Sequence, residues 1–153
     1  MQTVTLLWHE YAMASEVGRL RCLASIRQGL KHKYGMATAG WTESIEGACG
    51  ELAVAKLLNI YWDGSVNTFK APDVGTLQVR TRSRHDYDLI VRPEDSGDEK
   101  FVLVTGVAPE YVVRGWMLGK DAKRPEFLKT YGNRHPAYFV PQDKLLSIDE
   151  VAG

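Results

Sequence analysis

The chain is poor in cysteine: Cys22 and Cys49 are its only two in 153 residues. Two thiols make neither a disulfide framework nor a four-cysteine zinc site, so both read as small buried hydrophobes in a reducing compartment. It also lacks an excess of either charge. Nineteen Lys and Arg balance nineteen Asp and Glu. No global field gathers a polyanion, and any such partner must be held by a local patch. No apolar run approaches the ~20 residues that a membrane-spanning helix needs, so no membrane association is expected. The N-terminal Thr5-Leu6-Leu7-Trp8 is short, has no basic region before it and stops at His9-Glu10, which does not read as a signal peptide. The expectation is a soluble protein of the cytoplasm. His9, His32, His85 and His135 are scattered with no metal-ligand spacing. There is no glycine-rich phosphate loop, and Ser44, Ser65 and Ser83 lack the surroundings of a nucleophile elbow. The four tryptophans, Trp8, Trp41, Trp62 and Trp116, are expected mostly in the core, any exposed one being able to stack on a base.

With 44% hydrophobic and 25% charged residues, what is present suits one folded domain over 1–153. Its first part is helical in pattern. Leu6, Leu7, Tyr11, Ala14, Val17, Leu20, Leu23, Ile26 and Leu30 recur at three- to four-residue steps. Gly18 falls inside the run as a potential break, and Lys31 to Gly35 suit its C-terminal end. A second helix is expected from Ser44 to Asn59. Its Gly47 and Gly50 are poor helix formers that make sense where a backbone or ligand comes close.

Beyond Gly64 the period changes to two. Val66–Phe69, Leu77–Thr81 and Tyr87–Val91 read as half-buried strands, with Ala71 to Gly75 as a turn. Phe101–Val107 is apolar throughout and reads as a central strand covered on both faces. Tyr111–Leu118 is a fifth strand, a short helix is expected at Ala122–Lys129, and Tyr138–Val140 is a last strand before Pro141. The plan is α+β: N-terminal helices (1–40 and the second helix) packed on a mixed central sheet, with a core at 44–141.

Glu46 and Glu51 on the second helix, Asp73 in the turn, and Gln78 with Arg80 on the following strand stand out chemically. Gln78 and Arg80 are two apart and share one strand face. Asp73 can reach the same edge, and a helix laid across the sheet brings a glutamate there. Such a set suits metal-assisted phosphodiester cleavage, in which Mg²⁺ takes hard oxygen ligands and a neighbouring cation offsets charge developing at phosphorus.

At these residues the chain resembles the PD-(D/E)XK nuclease superfamily. The resemblance rests on Gly50-Glu51 in the helix, Pro72-Asp73 in the turn and Gln78-Val79-Arg80 on the strand, and covers roughly 44–107. The stretch Gly47 to Lys56, with the same turn and strand, looks like phage-type members of that superfamily. The resemblance implies a restriction-endonuclease-like core and a phage or mobile-element nuclease hydrolysing DNA with Mg²⁺ or Mn²⁺. Asp73 would be the main metal ligand, helped by the Gln78 amide oxygen, the Val79 carbonyl and Glu51. Gln78 stands in the family's acidic position and removes a negative charge. Arg80 stands where the family usually has Lys and stays protonated, so it can hold a phosphate or orient a water but cannot act as a base. The alternative is a catalytically inactive nuclease-fold protein that binds nucleic acid or a host or phage protein partner. A homodimer is also compatible.

Arg82 and Arg84 continue the spacing of Arg80, and Lys70 is near in sequence, so these three are the expected nucleic-acid contacts. Asp86 and Asp88 follow at once and can pair with the arginines. Each feature also has a plain structural reading: Glu46 as a helix-dipole carboxylate, Asp73 as a turn former, Gln78 and Arg80 as a polar strand face, the arginines as a charged edge.

Overall fold

A glycine decides how the two helices meet. In the computed structural model, which describes residues 1–28, 40–66 and 72–151, helices α1 (Trp8–Arg27) and α2 (Gly40–Leu58) cross at Gly18. A Cβ at Gly18 would lie 2.5 Å from the Ile45 Cα. Gly18 therefore does not break α1; it lets the two backbones touch. The expected Lys31–Gly35 end of the first helix lies outside the described residues.

Ahead of α1 stands a strand that the helical pattern did not announce, β1 (Gln2–Thr5). It pairs antiparallel with β5 (Glu110–Leu118), more than a hundred residues on in the chain. The four-stranded sheet runs β1-β5-β4-β2, where β2 is Leu77–Arg82 and β4 is Lys100–Val107. β2 is parallel to β4, with Gln78 opposite Phe101 and Arg80 opposite Leu103; the other pairs are antiparallel, so the sheet is mixed. Among the described residues, β2 is an edge strand of this sheet.

A second sheet, antiparallel in the order β3-β7-β6, comprises β3 (Leu89–Val91), β6 (Leu128–Lys129) and β7 (Ala137–Val140). The expectation of one sheet is corrected to two. The expected helix at 122–129 is likewise absent. One turn of α3 (Gly119–Ala122), a 3₁₀ turn at Pro125–Phe127 and β6 take its place, because Pro125 has no N–H to continue a helix. Of the expected strand at 66–69, Val66 lies in a bend and the rest is outside the described residues.

Burial shows why β4 sits centrally. Val102 and Val104 pack with α2, Leu77 and Val79 in one cluster, while Phe101 and Leu103 pack with Leu89, Val91 and Val140 in the other. Both faces of β4 are covered, as its unbroken apolar run predicts, and each large side chain so buried contributes about 1.5–3 kcal/mol. The order is helices, mixed sheet, small sheet: an α+β architecture. Cys22 and Cys49 are both buried. Trp8 and Trp41 are exposed, against expectation. No described helix is long and apolar enough to cross a membrane.

Candidate functional site

Alternation along β2 sets the site. Leu77 and Val79 face the helices, so Gln78, Arg80 and Arg82 face the small sheet. The turn before β2 closes on itself, Asp73 and Val74 both donating to the Leu77 carbonyl at 2.9 and 3.1 Å. This fold-back brings the Asp73 side chain alongside the strand, where Oδ2 accepts the Val79 N–H at 2.7 Å. The N–H and C=O of one strand residue point to the same side, so the Val79 carbonyl also faces the open edge of β2, away from β4.

From the helix layer, Glu51 approaches the same edge. Gly50 makes this possible: a Cβ there would lie 2.0 Å from the Thr81 Oγ1, so α2 lies directly against β2. The expectation of a close approach is met at Gly50 and not at Gly47, where a Cβ would meet nothing within 4 Å. Glu51 is 6% exposed. Its Oε2 accepts from Arg21 Nη1 at 2.8 Å and its Oε1 from Trp62 Nε1 at 3.1 Å. Arg21 in turn donates to the Ser65 carbonyl and lies over the Trp62 ring.

The two carboxylates feel each other. Burial pushes Glu51 above the usual carboxylate range; Arg21 and Trp62 oppose this, and the Asp73 charge adds to it. Burial likewise raises Asp73, with Glu99 adding to it, against the Val79 N–H, Arg80 and Arg21. Arg80 crosses the other face of β2, stacks 4.9 Å from the Phe101 ring centroid and pairs with Asp95 at 3.0 Å. Glu51, Asp73 and Arg80 thus belong to one electrostatic neighbourhood, while Gln78 is half-buried on the Arg80 face. Arg21, Trp62, Asp95 and Glu99 belong to it too. Sequence reasoning passed over them because they are remote in the chain and carry no motif.

Glu46 is placed differently. It is five residues and about 140° round α2 from Glu51, and it accepts the Ala108 N–H at 3.2 Å and the Tyr111 hydroxyl. Its carboxylate anchors α2 to the β4–β5 turn, and burial with this contact drives the Tyr111 hydroxyl far above its ordinary pKa.

Of the expected phosphate contacts, Lys70 lies outside the described residues. Arg84 is exposed and paired with Asp86 at 3.0 Å, the pairing that the neighbouring acids suggested. Arg82 is held more firmly: it donates to the Asp88 carbonyl at 3.0 Å and its Cζ stands 4.1 Å from the Tyr87 ring centroid. Arg80, Arg82 and Arg92 line a cleft of about 800 Å³ together with Thr42, Ser44 and the acids Glu43, Glu46, Glu94 and Asp95.

Among the described residues, no three His, Cys, Asp or Glu side chains are arranged to hold a metal ion; the candidate donor set includes an amide and a backbone carbonyl instead. No protein-family model, curated protein or solved structure matches this chain.

Proposed function

We propose that the chain is a metal-dependent nuclease that hydrolyses phosphodiester bonds in DNA at the open edge of β2, built on a restriction-endonuclease-like core. The observation that carries this reading is the convergence on β2 of half-buried Asp73, which accepts the Val79 N–H, and buried Glu51, which follows the Gly50 that lies against Thr81; each carboxyl is raised above its ordinary range, and the Arg80 charge opposes the rise at Asp73. Keeping two desolvated acids together costs stability, and their mutual repulsion is what a divalent cation relieves. The donors suit Mg²⁺ or Mn²⁺: Asp73, the Val79 carbonyl and the Gln78 amide oxygen are hard oxygens, and would hold the ion. When bound, such an ion lowers the pKa of a coordinated water and offsets charge at phosphorus.

This chain's residues do the rest. Val79 N–H fixes the Asp73 carboxylate in one orientation. Arg21 and Trp62 fix Glu51, which accepts a proton from the attacking water through its remaining lone pairs. The Arg80 guanidinium binds a non-bridging phosphate oxygen. Arg82 binds the next part of the backbone.

A second reading is supported by Glu51 itself. Both of its oxygens already accept a hydrogen bond, and with Gln78 neutral the site has few free anionic ligands, as in a nuclease-fold protein that binds nucleic acid without cutting it. Nicking of supercoiled plasmid and cleavage of single-stranded DNA in Mg²⁺ or Mn²⁺, run beside duplex and single-strand binding by anisotropy, separate the two. Metal-dependent cutting of either DNA supports the nuclease; binding with both left intact supports the binder; neither activity from folded protein rejects both.

A further inference from the structure

A second cavity opens off the first, on the side of the small sheet. It encloses about 450 Å³ and is lined by Arg82, Tyr87, Arg92, Tyr131, Arg134 and Phe139, among others. This size lies within the range of small-ligand sites. Its two walls are built alike, each from an aromatic ring and a guanidinium.

On one wall Arg82 lies over the Tyr87 ring at 4.1 Å. On the other, the β6–β7 hairpin carries Tyr131 and Arg134 at the two ends of a turn closed by Arg134 N–H donating to the Tyr131 carbonyl at 3.1 Å. Gly132, at φ +58°, supplies the left-handed residue which that turn requires. The turn brings the two backbones together, and both side chains line the cavity. The Tyr131 ring is braced edge-on by Phe139, with centroids 4.9 Å apart and planes at 86°. Tyr131 is nevertheless 52% exposed.

Charge favours an anion here. Arg82, Arg92 and Arg134 line the cavity with Asp86 and Asp88, but Asp86 is taken by Arg84. Desolvation lowers the pKa of Arg82, and Arg92 and Arg134 lower it further against Tyr87 and Asp88. Cations crowded enough to repel one another are relieved by an anionic ligand.

Arg82, Tyr87, Ile90 and Arg92 line both this cavity and the 800 Å³ cleft that contains Arg80. The cavity is therefore continuous with the cleft that Arg80 lines. An aromatic ring, guanidinium groups in the same cavity and a cleft leading on to Arg80 together describe one ligand. We propose that this cavity holds a single unpaired nucleotide of a nucleic-acid strand whose backbone runs along the cleft to Arg80, the base stacking on Tyr131 and the phosphate pairing with Arg134. A base still paired in a duplex cannot enter, so the substrate is single-stranded or has a frayed end. The proposal deepens the nuclease reading and rests on it for the scission site, while the cavity's binding of a strand is measurable without cleavage.

The test is binding of 5′-fluorescein dT₁₂ to the full chain in EDTA, followed by anisotropy. Tyr131→Ala should weaken binding about tenfold, as loss of one stacked base does, and Tyr131→Phe should restore it. Arg134→Ala should reduce the slope of log affinity against log salt by ~0.7, one single-strand phosphate. Both side chains are at the surface, and melting curves confirm that the variants fold. Unchanged dT₁₂ affinity in both Ala variants overturns the proposal. So does blunt duplex binding as tightly as dT₁₂ with the same Tyr131 dependence, or free dTMP displacing dT₁₂ as well as unlabelled dT₁₂ does, which would make this a mononucleotide site. Plasmid nicking that depends on Asp73 alongside dT₁₂ binding indifferent to Tyr131 leaves the nuclease standing and removes the pocket. Loss of nicking with Tyr131-dependent binding intact does the reverse.

Discussion

The Asp73 carboxylate accepts the backbone N–H of Val79 at 2.7 Å, so the turn before β2 and the open edge of that strand are one unit. A free edge N–H is a template for unwanted strand pairing, and Asp73 occupies it. The same bond fixes where the carboxylate's negative charge sits, beside the Val79 carbonyl and within reach of Glu51 and Arg80.

Asp73→Asn should abolish plasmid nicking while the protein stays folded. Burial raises the Asp73 pKa, so its charged form costs the native state stability that a neutral amide does not, and Asn can still accept the Val79 N–H. The melting temperature at pH 8 should be equal to or above that of the wild type. Gln78→Glu should tighten Mn²⁺ binding, measured by calorimetry. Full nicking by folded Asp73→Asn protein would reject the metal-site mechanism.

Arg21→Ala should destabilise by about 3 kcal/mol, because it strands the Glu51 carboxylate without its ion-pair partner. Glu51 is 9% exposed in its side chain and bonds Arg21 at 2.8 Å. Combining it with Glu51→Gln should recover much of the loss in urea unfolding, since no buried charge is then left unpaired. Equal losses in the single and double variants would show that packing of the Arg21 stem, not the charge, is what matters.

Two glycines three residues apart should respond in opposite directions. At Gly50 an added methyl would meet Thr81 at 2.0 Å, and Gly50→Ala should cost about 1–3 kcal/mol by forcing α2 off β2. At Gly47 nothing lies within 4 Å, and Gly47→Ala should stabilise by up to about 1 kcal/mol through helix propensity. Thermal melts of the pair decide it; similar shifts would mean that α2 does not lie this close to β2.

The N-terminal end of α1 should carry a pH signature. Glu10 Oε1 accepts the Leu7 N–H at 2.7 Å and the Lys56 ammonium at 2.8 Å. Burial raises its pKa, but Lys56 and the Leu7 N–H outweigh that and hold it below the ordinary 4.5. A lowered carboxylate pKa gives stability that is fully present above the unfolded value and is lost as pH falls through the folded one. Glu10→Gln should therefore cost about 0.5–1 kcal/mol at pH 7, with the gap to wild type closing below about pH 4.5. A gap that stays constant from pH 7 to pH 3 would exclude this role.

The sequence by itself determined the α+β order, both helices, the central strand and the turn–strand pair from Asp73 to Arg80. These depend on local periodicity and turn chemistry, which neighbouring residues carry. It also marked Gly47 and Gly50 as points of close approach, which holds at Gly50 alone, and it did not show the strand that approaches. Only the tertiary structure decided that Gln2–Thr5 is a strand, since its partner β5 lies a hundred residues on. The same holds for the division of the strands into two sheets, for the binding of Glu51 by Arg21 and Trp62, and for the gathering of Tyr131, Arg82 and Arg92 round one cavity. Each of these joins groups distant in the chain, and a pattern read along the sequence holds no information about distances that only folding closes.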